Sequence, residues 1–169
     1  MATQGRGGRA GEVVALFLST FVNKVDRKGR VSVPAPFRAA LAGQTYAGII
    51  AYRSIKQTAI EASGIDWMEE LSRRLDELDE LSEERDALSA IFAEVRQLPF
   101  DSEGRIILPP ELAEYAGITE SAAFVGSARS FQIWEPGRFA HHQEQRRSII
   151  RDRGLTLPGA RPHSNGETR

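Results

Sequence analysis

The chain has 169 residues, a formal net charge of -1, 41% hydrophobic and 27% charged residues, and no cysteine. That length can bury a sizeable core in one domain or two small units sharing a core. The missing thiols exclude disulfides, thiolate metal sites and cysteine nucleophiles, which fits a reducing compartment. No apolar run approaches a membrane span, and the GRGGRAGE stretch near the start has neither the hydrophobic centre nor the cleavage pattern of a secretory signal, so a cytoplasmic protein without a membrane partner is expected.

In chain order, the residues through Glu12 have little to bury and are expected to be disordered. Phe17 to Val22 reads as an entering strand, and RVSV from Arg30 is a β-rich run leaving the tetrapeptide DRKG, so the two predict a hairpin. Asp26 stands where its carboxylate can accept a turn amide and Gly29 where the backbone needs a positive φ, the pattern of a type I turn with a G1 bulge. Pro34 and Pro36, with fixed φ and no N–H, suit the first turn of a short helix, PFRAALAG, ended by Gly43. Two strands follow, YAGIIAYR and SIKQTAIEA. Asp66, three residues before Glu69, predicts a capping box opening an amphipathic helix with Trp67, Leu71, Leu75 and Leu78 along one side. Ser82 caps a second helical segment, in which Leu88, Ile91, Phe92 and Val95 continue the stripe, which packing or a subunit contact explains better than a ligand.

The same anatomy then recurs. Gln97 to Phe100 predicts a short strand, DSEG a turn, RIIL a strand, PELAEYAG a short helix ended by Gly117, and SAAFVGSA with SFQIWEP two more strands. A final helix, roughly residues 137–152, offers Phe139, His142, Ile149 and Ile150 for burial, and the rest of the chain is expected to be disordered. A shift of 75 residues puts Asp26 on Asp101, Gly29 on Gly104, Arg30 on Arg105, Val31 on Ile106, Val33 on Leu108 and Pro34 on Pro109. Two copies of one unit are the simplest account.

Charge is segregated along the chain. Residues 1–38 hold seven Lys or Arg against two acids, residues 66–86 hold ten acids against three Arg, and from Arg129 onward eight Arg face four acids. One face for a polyanion and another turned away from it is the arrangement this asymmetry suggests, although the acidic block by itself reads as a solvated helix face. By itself the Asp-x-x-Gly-Arg turn is a structural motif, an exposed ion pair worth about 0–1 kcal/mol. The first turn, however, is flanked by Lys24, Arg27, Lys28 and Arg38. A cationic β-ribbon fits the major groove, where phosphates attract Lys and Arg and a guanidinium can pair with guanine O6 and N7. Arg30 is then the candidate reader, held in one pose by Asp26, which lowers the ordering cost of binding.

The run LFLSTFVNKVDRKGRVSVPAPFRAAL and the second copy LPFDSEGRIILPPELAEYAGI resemble the MraZ family of bacterial transcription regulators over about Leu16 to Arg153. The resemblance rests on the paired Asp-x-x-x-Arg motifs, each followed by a strand and Pro. It implies an α+β fold, a tandem pseudo-two-fold AbrB-like swapped-hairpin barrel with two longer flanking helices. The expected layout is an N-terminal extension over 1–15, a first AbrB-like repeat over 16–62, a helical connector over 63–96, a second repeat with a C-terminal helix over 97–153, and a tail over 154–169. Within such a tandem the interface of a swapped-hairpin dimer becomes internal to one chain. The resemblance further implies ring-shaped homo-oligomers associated with the nucleoid. They would bind G-rich direct repeats in the promoter of the division and cell wall operon, usually as a repressor of their own gene among others. It places DNA contacts on Asp26, Arg30, Asp101 and Arg105, beside Lys24, Arg27, Lys28 and Arg38. Because Ser102 and Glu103 replace Arg27 and Lys28, and Ala113 replaces Arg38, the first copy is expected to be the main contact.

Other classes fit less well. The three histidines, His141, His142 and His163, include two neighbours on one predicted helix, and no HExxH, phosphate loop or nucleophile elbow occurs, so neither an enzyme nor a metal or cofactor site is expected. An antitoxin-like DNA-binding partner of a toxin protein is the alternative, against which stands a short tail with few hydrophobes. A scaffold whose ring is itself the product is a third reading.

Overall fold

The computed structural model describes residues 15–159, so the expectations for the terminal extensions fall outside it except for Ala15, which has no regular structure, and residues 154–159, likewise irregular and exposed. The first copy contributes β1 (Thr20–Lys24), β2 (Arg30–Ser32), α1 (Ala35–Ala40), β3 (Gly48–Arg53) and β4 (Ile60–Ser63). The connector folds as α2 (Ile65–Asp76) and α3 (Glu83–Glu94). The second copy contributes β5 (Arg96–Pro99), β6 (Arg105–Ile107), α4 (Pro110–Ala116), β7 (Ser121–Ser127) and β8 (Ser130–Trp134), and α5 (Pro136–Arg153) follows. The described residues divide into two compact units, one ending at Pro136 and one beginning at Gly137.

In the first unit the copies are interlaced. A six-stranded antiparallel sheet runs β1-β7-β8-β4-β3-β5, and β2 and β6 form a separate two-stranded ribbon. Only β3 with β4 and β7 with β8 pair within a copy. The pairs β1 with β7, β3 with β5, β4 with β8 and β2 with β6 each join one copy to the other. Neither sheet closes on itself: β1 and β5 remain edges of the larger one. The fold class is α+β.

The hairpins expected from sequence form at their turns but not along their arms. Beyond the single bridge between Val25 and Val31, β1 leaves to pair with β7 and β2 leaves to pair with β6. Alternation explains the departure: Val31, Val33, Ile106 and Leu108 are buried on one side of the ribbon, so its two strands cover the core together. The entering strand is also shorter than expected. Phe17 makes an isolated bridge to Ala128, and Ser19 at φ 73° separates it from β1.

The core draws on both copies. Phe17, Phe37 and Phe131 are mutually packed, with ring centroids 4.9–5.3 Å apart, in the edge-on and tilted geometries that aromatic rings prefer. Ile49, Ile50 and Ala51 of β3 are all buried, as a strand covered on both faces requires.

The connector is two helices of 12 residues each, the second beginning after Ser82. The expected capping box does not form. Gly64 is the N-cap of α2, and Asp66, already inside the first turn, accepts the Trp67 N–H, because β4 runs straight into the helix. Ser82 does cap α3 through the Arg85 N–H. Met68 joins Leu71, Leu75, Leu78, Leu88, Ile91 and Phe92 around an apolar groove of about 330 Å³, while Trp67 turns aside to stack with Arg74 and Arg129. In α5, Phe139, His142 and Ile149 are half-buried and Ile150 is exposed. No described helix is long and apolar enough to cross a membrane.

Candidate nucleic-acid interface

The two Asp-x-x-Gly-Arg turns are built alike. Asp26 Oδ1 accepts the backbone N–H groups of Lys28 and Arg30, each at 2.9 Å, and Asp101 Oδ1 accepts those of Glu103 and Arg105 at the same distance. Gly29 N–H donates to the Asp26 carbonyl at 3.0 Å and Gly104 N–H to the Asp101 carbonyl at 3.1 Å. Both glycines are left-handed, at φ +78° and +74°. A short carboxylate reaches these amides without straining the chain, and only glycine takes that φ at no steric cost.

The second carboxylate oxygen of each aspartate holds the arginine, at 2.6 Å from Arg30 Nε to Asp26 Oδ2 and 2.8 Å from Arg105 Nε to Asp101 Oδ2. Both carboxyls are held below the usual aspartate range, first by the amide of Arg30 or Arg105 and then by its guanidinium and the amide of Lys28 or Glu103. The Arg105 guanidinium is pushed up chiefly by Asp101, with Glu103 and Asp26 adding to it. The acid of one turn therefore acts on the base of the other.

That proximity follows from the ribbon. Arg30 pairs with Ile107 and Ser32 with Arg105, so Arg30 and Arg105 are diagonal neighbours on one face, with Cα atoms roughly 7–8 Å apart. The opposite face carries Val31 and Ile106 into the core. The two-stranded element that presents the arginines is therefore made between the copies, not within one.

The two arginines differ in what remains available. Arg105 Nη2 also makes an ion pair with Glu103 Oε2 at 2.7 Å. Arg30 spends only its Nε on Asp26, and its terminal amino groups make no hydrogen bond or ion pair among the described residues. Arg27 and Lys28 are exposed at the tip of the first turn, and Lys24 is exposed at the end of β1, opposite Ser121. Arg38 lies against the second turn, where a Cβ added to Gly104 would meet its Nη1 at 2.5 Å, and its Nε donates to the Val33 carbonyl at 3.1 Å. The cause is the antiparallel ribbon, which brings the end of β2 beside the start of β6. The second turn is thus flanked by Arg38 of α1, from the other copy.

Ile107 was not anticipated. It is 62% exposed on the arginine face, and the alternation in RIIL, which sends Ile106 and Leu108 inward, was the signal that could have found it.

Over 146 residues the chain is 48% identical to a protein of Rickettsia canadensis named Transcriptional regulator MraZ, covering 86% of this chain and 98% of that protein. The chain belongs to the MraZ family. MraZ proteins of Rickettsia akari and Rickettsia bellii are 47% and 46% identical, over 86% and 84% of this chain and 98% and 96% of their own lengths. A family model described as "MraZ protein, putative antitoxin-like" matches residues 91–153. That MraZ segment contains the whole second turn, with Asp101, Glu103 and Arg105.

Proposed function

We propose that this protein is a transcriptional regulator that binds duplex DNA by setting the outward face of the β2–β6 ribbon into the major groove. The observation that carries the reading is the pairing of Arg30, with its terminal amino groups available, and Arg105 on one face of a two-stranded ribbon. The major groove admits such a ribbon, and an arginine with a fixed Nε can present its far edge to guanine O6 and N7 or to a phosphate. Arg27, Lys28, Lys24 and Arg38 supply sequence-independent attraction, and Ile107 an apolar contact of the kind made with a thymine methyl. The names of the relatives support the regulatory role.

The finer reading follows the family resemblance. We read repeats over 16–62 and 97–153 as an AbrB-like swapped-hairpin arrangement, a reading supported by the strand pairs that join one copy to the other, with an open sheet in place of a closed barrel. Ring-shaped homo-oligomers at the nucleoid would present several ribbons to successive G-rich repeats upstream of the division and cell wall operon and repress it, their own gene included. The test is a mobility-shift titration on the chain's own upstream region with wild type, Arg30→Ala and Arg105→Ala at two salt concentrations. Loss of binding in Arg30→Ala with the fold intact supports the reading, and unchanged binding in both variants refutes it.

The description of the family model favours a second reading, an antitoxin-like DNA-binding partner. A small toxin copurifying with the protein in stoichiometric amount would support that reading over the first.

A further inference from the structure

The two turns share a backbone but differ in the state of their arginines. Asp101 and Glu103 together occupy Nε and Nη2 of Arg105, whereas Asp26 alone holds Arg30. Glu103 stands where the 75-residue shift places Lys28. Its side chain is 66% exposed, so it lies on the surface a duplex must approach, and its carboxylate offers Arg105 the same kind of anionic oxygen that a phosphate does.

We propose that Glu103 sets the affinity of the second turn for DNA, acting as an internal phosphate mimic that clamps Arg105 until the duplex displaces it. The proposal rests on reading the ribbon as the DNA interface. Two effects oppose engagement of the second turn: the Arg105–Glu103 pair must open, and the released carboxylate must sit near the phosphates. The first is small for an exposed pair, and the second is repulsive and screened by salt. Arg38 needs no such release. It already lies over the backbone of Gly104 with its Nε on the Val33 carbonyl, so the second turn keeps one available cation while its own arginine is clamped. Arg30 is ready for contact and Arg105 is conditional.

The test compares wild type, Glu103→Gln, Glu103→Lys and Lys28→Glu on one duplex carrying the upstream repeats. Glu103→Gln should tighten binding roughly three- to tenfold at about 0.05 M salt and less at about 0.2 M. Glu103→Lys should tighten it further and steepen the salt dependence by about one unit. Lys28→Glu, which builds the same clamp beside Arg30, should weaken binding more than Lys28→Gln does. In an Arg105→Ala background the gain from Glu103→Gln should shrink to the part owed to phosphate repulsion, because the clamp acts through that arginine. A gain of undiminished size without Arg105 would mean simple charge removal and would overturn the clamp. Unchanged affinity in Glu103→Gln, with Arg30→Ala still weakening binding, would overturn the clamp and leave the DNA reading standing. Absence of duplex binding by wild type and Glu103→Lys alike would sink the DNA reading, and the clamp with it.

Discussion

Arg38, from the first copy, lies across Gly104 of the second, so close that a methyl group on Gly104 would collide with its Nη1, Cδ and Cζ. Gly104 is also held at φ +74°. Gly104→Ala should therefore cost about 1–2 kcal/mol for the left-handed backbone alone, and should push Arg38 off the turn. Urea denaturation measures the first effect. The second should appear as weaker DNA binding at low salt even where the variant remains folded.

Acid should loosen both turns. The folded-state pKa values of Asp26 and Asp101 are depressed, so their contribution to stability is present above the ordinary carboxylate value, about 3.9, and is lost as pH falls through the lower folded values. The midpoint of urea unfolding, followed from about pH 6 to about pH 3, should fall less steeply in the Asp26→Asn, Asp101→Asn double variant than in wild type. Equal slopes would show that the turns do not contribute to acid sensitivity.

On the DNA side, Arg30→Ala should cost about 1–3 kcal/mol and relax the sequence preference, as removal of a base-reading arginine does. Lys28→Ala should weaken all sequences alike and lower the salt slope by about one. Arg105→Ala should cost less than Arg30→Ala, since Glu103 already occupies part of that guanidinium. The reverse order would show the second turn to be the principal contact.

Phe37 is 1% exposed and touches Phe17, Phe21 and Phe131. Phe37→Ala should cost about 3–5 kcal/mol, a large share of the roughly 5–15 kcal/mol that holds a domain folded. Thermal or urea unfolding checks the value, and a loss below about 1 kcal/mol would mean that the aromatic cluster collapses around the gap.

Because the ribbon and three pairings of the large sheet join the copies, neither copy should fold as a monomer when expressed alone. Circular dichroism of a fragment spanning 16–62 should show little native structure. Cooperative unfolding of that fragment as a monomer would contradict the interlaced core.

What was legible in the sequence was local. Asp26 and Gly29 announce their turn because the carboxylate, the amides and the positive φ all lie within five residues, and Ser82 announces α3 for the same reason. The destinations of the arms were not legible. Val31 is compatible with a partner in β1 or in β6, and only the three-dimensional core decides between them. Arg38 follows from that pairing: six residues from Ser32 in sequence, it inherits whichever turn β2 is paired beside. Asp66 was read as a cap because its spacing to Glu69 is right, but the strand before it ends three residues earlier, at Ser63, and gives the cap to Gly64. Of the candidate contact face, the two arginines and their acids could be read from the repeat. The exposure of Ile107 follows from alternation once β6 is recognised as a strand with one side in the core.

The strand exchange also sets a schedule for synthesis. Residues 20–63 leave the ribosome first, yet β1 waits for β7, β2 for β6, and β4 for β8. Until the chain has been made through Trp134, its early half carries unsatisfied edges and an unsheltered apolar surface, which favours slow, late collapse over stepwise folding and leaves a nascent chain exposed to misassociation.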